Sequence, residues 1–163
     1  IKKGRTVYTV IDDNLLEDEK LRPYLSELNF MPWSYDNAKT LLNKGEIIVL
    51  FPEDNSVTAK TIAMRNRTRR FDWTKFLPAV ELHVPIYPLS TLGIDEANIC
   101  LPFPLSLSTL PVPWTMKLMP ALTYSLSADR EALQEQAKKT ALRAEGDIQA
   151  QLNRSLRNRA RFF

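Results

Sequence analysis

The sequence predicts an α/β fold: a mixed, mostly parallel central sheet flanked by helices, with a C-terminal helix. Three observations predict it. Ile47 to Phe51 is an unbroken apolar run rich in β-branched residues, which suits a strand buried on both faces at the centre of a parallel sheet. Strand-like and helix-like patterns alternate along residues 5–91, as in βαβ units with right-handed crossovers. Beyond Ser127, the residues Leu133, Ala137, Ala141, Ile148, Leu152 and Leu156 recur at three- or four-residue multiples, the single apolar stripe of an amphipathic helix.

Taken in order, residues 5–11 alternate and carry Thr6, Val7, Thr9, Val10 and Ile11, so they read as a strand. Asp12 to Lys20 is a charged loop or helical turn. Leu21 to Leu28 is a short helix, with Pro23 tolerated in its first turn. Phe30 to Trp33 is a short edge strand ended by Pro32. Ser34 or Asp36 caps a helix over 37–43 by accepting its unpaired first-turn N–H groups. Ala38, Leu41 and Leu42 form the buried face of that helix, and Gly45 stops it. Residues 56–72 lack a clean period and form a long loop, with a helical turn at 59–64. Asp72 caps a helix over 73–82 that Pro78 kinks. Residues 84–91 are a strand made irregular by Pro88, and 114–119 a final strand. Ser127 caps the last helix, Asp129 and Glu131 suit its first turn, and Gly146 marks a bend or break. The domain boundary falls at 126/127, with an α/β part over 1–126 and the helix with its basic tail over 127–163.

Composition bounds the function. The 163 residues suffice for one domain with a core, and 44% apolar with 25% charged residues is ordinary for a soluble globular chain. A net charge of +3 is too small for a nucleic-acid signature, so no nucleic-acid partner is expected. The basic residues gather in two knots, Arg65, Arg67, Arg69, Arg70 and Arg154, Arg157, Arg159, Arg161, each suited to phosphate or an anionic membrane. Cys100 is the sole cysteine and His83 the sole histidine. That excludes an intrachain disulfide and any site needing two histidines, and implies no metal. Residues 97–116 carry no charge and have the length of a membrane span, but Pro102, Pro104, Pro111 and Pro113 break any helix. A loop packed on the core is preferred to one dipping into a membrane interface. The basic end with Phe162 and Phe163 has interfacial character, but a helix packed on the sheet with a frayed basic tail is the preferred reading.

Pro52 ends the central strand, and Glu53, Asp54, Asn55 and Ser56 follow. Open α/β sheets place ligand sites beyond the C-terminal ends of their strands. A solvated acidic turn is the plainer reading.

The run Asn43-Lys-Gly-Glu-Ile-Ile-Val-Leu-Phe-Pro-Glu53 resembles the strand and third motif, Phe-Pro-Glu-Gly-Thr-Arg, of the glycerolipid acyltransferase family, the lysophosphatidate acyltransferases. Val84-Pro-Ile-Tyr-Pro88 is similar to the family's fourth motif. Arg70 to Leu82 resembles the helix linking the two, and Pro32-Trp-Ser-Tyr-Asp-Asn37 the second motif. The apolar 99–114 stretch is similar to a loop in some members. The resemblance covers residues 5–125. It implies transfer of a fatty acyl group from acyl-CoA or acyl-carrier protein, as co-substrate and with no cofactor, to a lipid hydroxyl. It also implies a sheet lying peripherally at a membrane, here the cytoplasmic face. It puts Phe51, Pro52, Glu53 and Ser56, with Tyr35, Pro85 and Arg70, at the substrate site.

The family's base is a histidine in His-x-x-x-x-Asp, supported by the carboxylate. Five residues after His83 stands Pro88, so no catalytic residue is assigned in this chain. In the family that motif precedes the first strand read here, and the chain begins at Ile1, so the dyad is expected upstream. Tyr35 stands where the second motif has arginine, and Asp54-Asn55-Ser56 where the third has Gly-Thr-Arg. The lost arginine would hold an acceptor phosphate, so a neutral lipid alcohol is the expected acceptor. The alternative is a non-catalytic acyl-chain or lipid-binding relative. A nucleotide-binding domain using the Arg65–Arg70 knot is disfavoured, because the four glycines do not cluster.

Overall fold

A computed structural model of the chain describes residues 4–11, 19, 22–53, 64–93, 112–125 and 129–159. The expected segments at 12–18, 59–63 and 97–111, together with Ser127 and the terminal phenylalanines, lie outside them. The described residues belong to two compact units. One comprises 1–52, 72–85 and 124–138, and the other 53–71, 86–123 and 139–163.

In the first unit, β1 (Val7–Ile11), β2 (Phe30–Pro32) and β3 (Ile47–Leu50) form a parallel sheet in the order β2-β1-β3. Thr9 pairs with Phe30 on one side and with Val49 on the other. β1 is therefore the central strand, and its Val10 and Ile11 are buried. This corrects the expectation that Ile47–Phe51 is central. Among the described strands β3 pairs only with β1, and Ile47 is 41% exposed. Its apolar run reflects one covered face and a hydrophobic edge. Register is held partly by Glu46, whose carboxylate accepts the Thr6 N–H at 2.6 Å.

Parallel strands need crossovers. Helices α1 (Arg22–Glu27) and α2 (Tyr35–Asn43) supply them. Ser34, rather than Asp36, caps α2: its hydroxyl accepts the Asn37 N–H at 3.0 Å. Ala38 and Leu41 are buried, as the pattern requires. A 3-10 turn at Trp73–Phe76 precedes α3 (Leu77–Glu81). The expected single helix over 73–82 is thus two pieces. Pro78 sits in the first turn of α3, where its missing N–H costs nothing, and it starts this helix instead of kinking one. Phe76, Pro78 and Val80 form the core with Ala137.

Three connections reverse tightly through a residue with positive φ: Asn29 (58°), Gly45 (77°) and His83 (55°). After α2, the Gly45 N–H bonds Leu42 O at 3.0 Å and the Glu46 N–H bonds Leu41 O at 3.1 Å. After α3, the His83 N–H bonds Val80 O at 3.3 Å and the Val84 N–H bonds Ala79 O at 2.9 Å. Both are Schellman caps, which satisfy the last helical carbonyls.

In the second unit, β4 (Leu89–Leu92) and β5 (Thr115–Leu118) form an antiparallel ribbon, with Leu89 opposite Leu118. The strand expected over 84–91 is shorter because Pro85 and Pro88 cannot donate to a ladder; Ile86 makes only an isolated bridge to Leu122. Helix α4 (Arg130–Asn158), whose residues up to Lys138 belong to the first unit, is continuous through Gly146, so the expected break is absent. Asp129 Oδ2 accepts the Ala132 N–H at 3.3 Å at its start. Ala137, Ala141 and Leu152 of the stripe are buried, joined by Thr140, Ala144 and Gln151.

His83 and Gly45 yield opposite expectations. Only glycine occupies the left-handed region without a Cβ penalty. His83→Gly is expected to raise stability by about 0.5–1 kcal/mol, and Gly45→Ala to lower it by about 1 kcal/mol. Urea unfolding midpoints at constant m measure both. A destabilised His83→Gly variant would show that the imidazole holds structure.

Candidate functional site

The end of β3 is anchored within the first unit by the segment that follows residue 71. Lys75, only 8% exposed, donates from Nζ to Phe51 O at 3.3 Å. The Asp72 N–H donates to Pro52 O at 2.8 Å. Asp72 in turn caps the 3-10 turn, its Oδ1 accepting the Thr74 N–H at 3.0 Å and the Thr74 hydroxyl at 2.7 Å. A buried ammonium against the carbonyls at a strand's end keeps that end ordered after the ladder stops. Phe51 is left 59% exposed, an apolar residue just past the strand terminus.

Glu53 lies in the second unit. It forms an antiparallel bridge with Phe71, and its Oε1 accepts the Arg69 N–H at 3.3 Å. The arginine-rich segment expected as a loop is tied down through its backbone. Gln149 of α4 accepts the Thr68 N–H at 2.7 Å and the Thr68 hydroxyl at 3.1 Å, and its Nε2 donates to Asn66 O at 3.1 Å. Glu145, one helical turn earlier, accepts the Phe71 N–H at 3.1 Å. Residues four apart share a helix face, so this pair acts as a two-toothed clamp on residues 66–71. Arg67 and Arg70 are exposed; Arg65 and Arg69 are half-buried. Ser56 lies outside the described residues.

Tyr35 belongs to the first unit, in the first turn of α2. Its hydroxyl donates to Glu81 Oε2. Lys39, one turn along α2, donates to the same oxygen at 3.0 Å and to Tyr35 Oη at 3.4 Å. Its ammonium also lies 5.4 Å from the Tyr35 ring centroid. The hydrogen bond from Tyr35 holds the Glu81 carboxyl below its ordinary value of 4.5, against partial burial and with help from Lys39 and Arg130. Desolvation and the Glu81 carboxylate raise the Tyr35 phenol above 10.0. The same carboxylate raises Lys39 above 10.5. Tyr35 thus serves an acidic partner with a lysine beside it. Sequence reasoning passed over Lys39 and Glu81 as a pair; the Tyr35/Lys39 spacing of four was the available signal.

His83 and Pro85 flank Val84 after α3, and both are exposed. The Tyr124 hydroxyl pins this junction, shared between Ala79 O at 3.1 Å and Val84 O, and burial raises its pKa above 10.0. Nothing in the sequence around Tyr124 marks it for that task. The positive φ of His83 makes it a helix-ending residue. Among the described residues no group of three His, Cys, Asp or Glu side chains could hold a metal, and no helix is long and apolar enough to cross a membrane.

In its fold the chain is similar to the crystal structure of the 1-acyl-sn-glycerophosphate (LPA) acyltransferase PlsC from Thermotoga maritima, with a TM-score of 0.55 and 17% sequence identity over 88% of this chain. The match covers 57% of that protein, so this chain spans less than two thirds of its length. No protein-family model matches the chain, and no curated protein does. At this identity the likeness is one of fold.

The Tyr35–Glu81–Lys39 cluster has a defined pH window. A carboxyl whose folded pKa is depressed contributes stability that is present above its unfolded value and lost as pH falls through the folded one. The destabilisation caused by Glu81→Gln is therefore expected to hold steady above about pH 4.5 and vanish in more acid solution. Tyr35 and Lys39 have raised values, so their contribution is present below about pH 10 and lost as pH rises through the folded values. The cluster is half-exposed, and each single variant should cost about 0.5–1 kcal/mol. Denaturant midpoints against pH for Glu81→Gln, Tyr35→Phe and the double variant measure this, and additive single effects would show the contacts to be uncoupled.

Proposed function

We propose that this chain is part of an acyltransferase that moves a fatty acyl group from acyl-CoA or acyl-carrier protein to a lipid hydroxyl. The observation that carries the reading is a parallel βαβ sheet whose β3 is followed by Phe51-Pro52-Glu53, within a fold similar to that of an LPA acyltransferase. Acyl transfer needs a base to take the acceptor's hydroxyl proton as its oxygen attacks the thioester carbonyl; the thiolate then leaves. In this reading the base is the histidine of a His-x-x-x-x-Asp pair outside this chain. Exposed Phe51 offers an apolar surface to acyl carbon, Glu53 shapes the acceptor site, and Pro85 helps to form its wall. Tyr35, Arg70 and Ser56 complete the substrate contacts.

The acceptor in this reading is a neutral lipid alcohol. Asp54-Asn55-Ser56 replaces the arginine-bearing tail of the third motif and adds a carboxylate, which repels a phosphate-bearing acceptor. Work at the cytoplasmic face of a membrane, with residues 1–126 as the transferase part and 127–163 as a helix with a basic tail, belongs to the same proposal. A non-catalytic lipid- or acyl-chain-binding relative is the second reading, favoured by the departures at the second and third motifs.

The test uses a labelled acyl-CoA, a lipid alcohol and product detection by mass spectrometry. The isolated 1–163 chain is expected to turn over at background. The full-length protein is expected to transfer the label, with about 100-fold less activity in Glu53→Ala, an effect of the size of one lost transition-state contact. Turnover by the isolated chain would overturn the assignment of the base. A folded, inert full-length protein that still binds the lipid would establish the second reading.

A further inference from the structure

Within the second unit, residues 65–68 and the Glu145–Leu156 stretch of α4 enclose an open groove of about 640 Å³. Two features of it have no structural use of their own, and a third is only half used. Arg65 lines the groove, and its Nε is shielded from solvent with no hydrogen-bond partner among the described residues. A guanidinium is always protonated, so this N–H is a permanent donor, and burying one without an acceptor is unfavourable. Gly146 lies on the helix side of the groove, and a Cβ built on it meets nothing within 4 Å. No crowding demands a glycine there, although glycine weakens a helix interior. Its effect is to bare the helix backbone at the groove. Asn153 has its Oδ1 occupied by the Gln149 Nε2 donor at 3.1 Å, so its own amide N–H₂ group remains to serve as a donor.

Charge sets the sign of the ligand. Arg65 and Arg67 face one carboxylate, Glu145, and that carboxylate accepts the Phe71 N–H. The groove is net positive and rich in donors. Its walls are held in place by the Gln149 contacts to Asn66 and Thr68, so binding needs little further ordering. Planar guanidinium forks match the oxygens of phosphate.

We propose that this groove binds a phosphate-type oxyanion, with Arg65 and Arg67 as its cations and Gly146 leaving room for it. It is independent of the acyl-transfer reading. The phosphate can belong to a soluble phosphomonoester or to an anionic lipid headgroup, and the two sources are separable.

The experiment is thermal unfolding of the protein in inorganic phosphate against chloride of equal ionic strength. The expected result is a phosphate-specific rise in Tm. It should be lost in Arg65→Lys, which keeps the charge but lacks the planar fork, and in Gly146→Leu, which fills the space. It should be retained in Lys117→Gln, which removes a charge on β5 outside the groove. Tenfold tighter binding of CoA than of dephospho-CoA, abolished by Arg65→Lys, identifies a soluble phosphomonoester. Capture by phosphatidylcholine vesicles only when they contain phosphatidate, again abolished by Arg65→Lys, identifies a headgroup. Absence of a phosphate-specific shift in the wild-type protein, or an equal shift in Arg65→Lys and Gly146→Leu, overturns the site.

Discussion

The first unit depends on β1 being hydrogen-bonded along both edges. A short strand paired on two sides in parallel fashion cannot be built from hairpins, because each partner must enter from the same end. The chain therefore runs β1, α1, β2, α2, β3, and each helix must return it promptly to the sheet. Asn29 and Gly45 perform the returns after α1 and α2, and His83 ends α3 in the same backbone region. Two of these residues carry a Cβ there, a local strain that the packing of Val10, Ile11, Leu41 and Val80 outweighs.

Side-chain polar groups then hold what the ladder does not. Lys75 and Asp72 fasten the end of β3, Tyr124 fastens the end of α3, and in the second unit Glu145 and Gln149 fasten residues 66–71. Each clamp satisfies backbone groups in a segment with no regular partners, as buried polar groups require. The segments that bear the resemblance to acyltransferase motifs are held mostly by these clamps. Their order depends on a few specific side chains.

Much of this was legible beforehand. The α/β class, β1, the short α1 with Pro23, the edge strand β2, the Ser34 cap and the stripe along α4 follow from local period and capping chemistry, which act over a few residues. The rank of the strands was not legible: Ile47–Leu50 looks more central than Val7–Ile11 by hydrophobicity, yet β1 has partners on both sides. Gly146 and Pro78 misled because breaker residues mark where a helix is weak, not whether packing or position overrides the weakness. Of the site, the Phe-Pro-Glu sequence was visible, but the joining of Tyr35 to Glu81 and the threading of the arginine segment along α4 were not.

By itself the sequence determined the type and order of most elements, since caps, turns and periodicity are set by neighbours in the chain; it did not determine all of their ends, as the division of 73–82 and the short β4 show. With one histidine and one cysteine, it also excluded a histidine pair and an intrachain disulfide. Only the tertiary structure decided which strand is central, which arginine N–H is shielded without a partner among the described residues, and which carboxylate Tyr35 serves. Those outcomes depend on contacts between residues about 20 to 80 positions apart. Hydrogen-bond pairing at that range is set by how whole elements pack, and it leaves no periodic trace in the sequence.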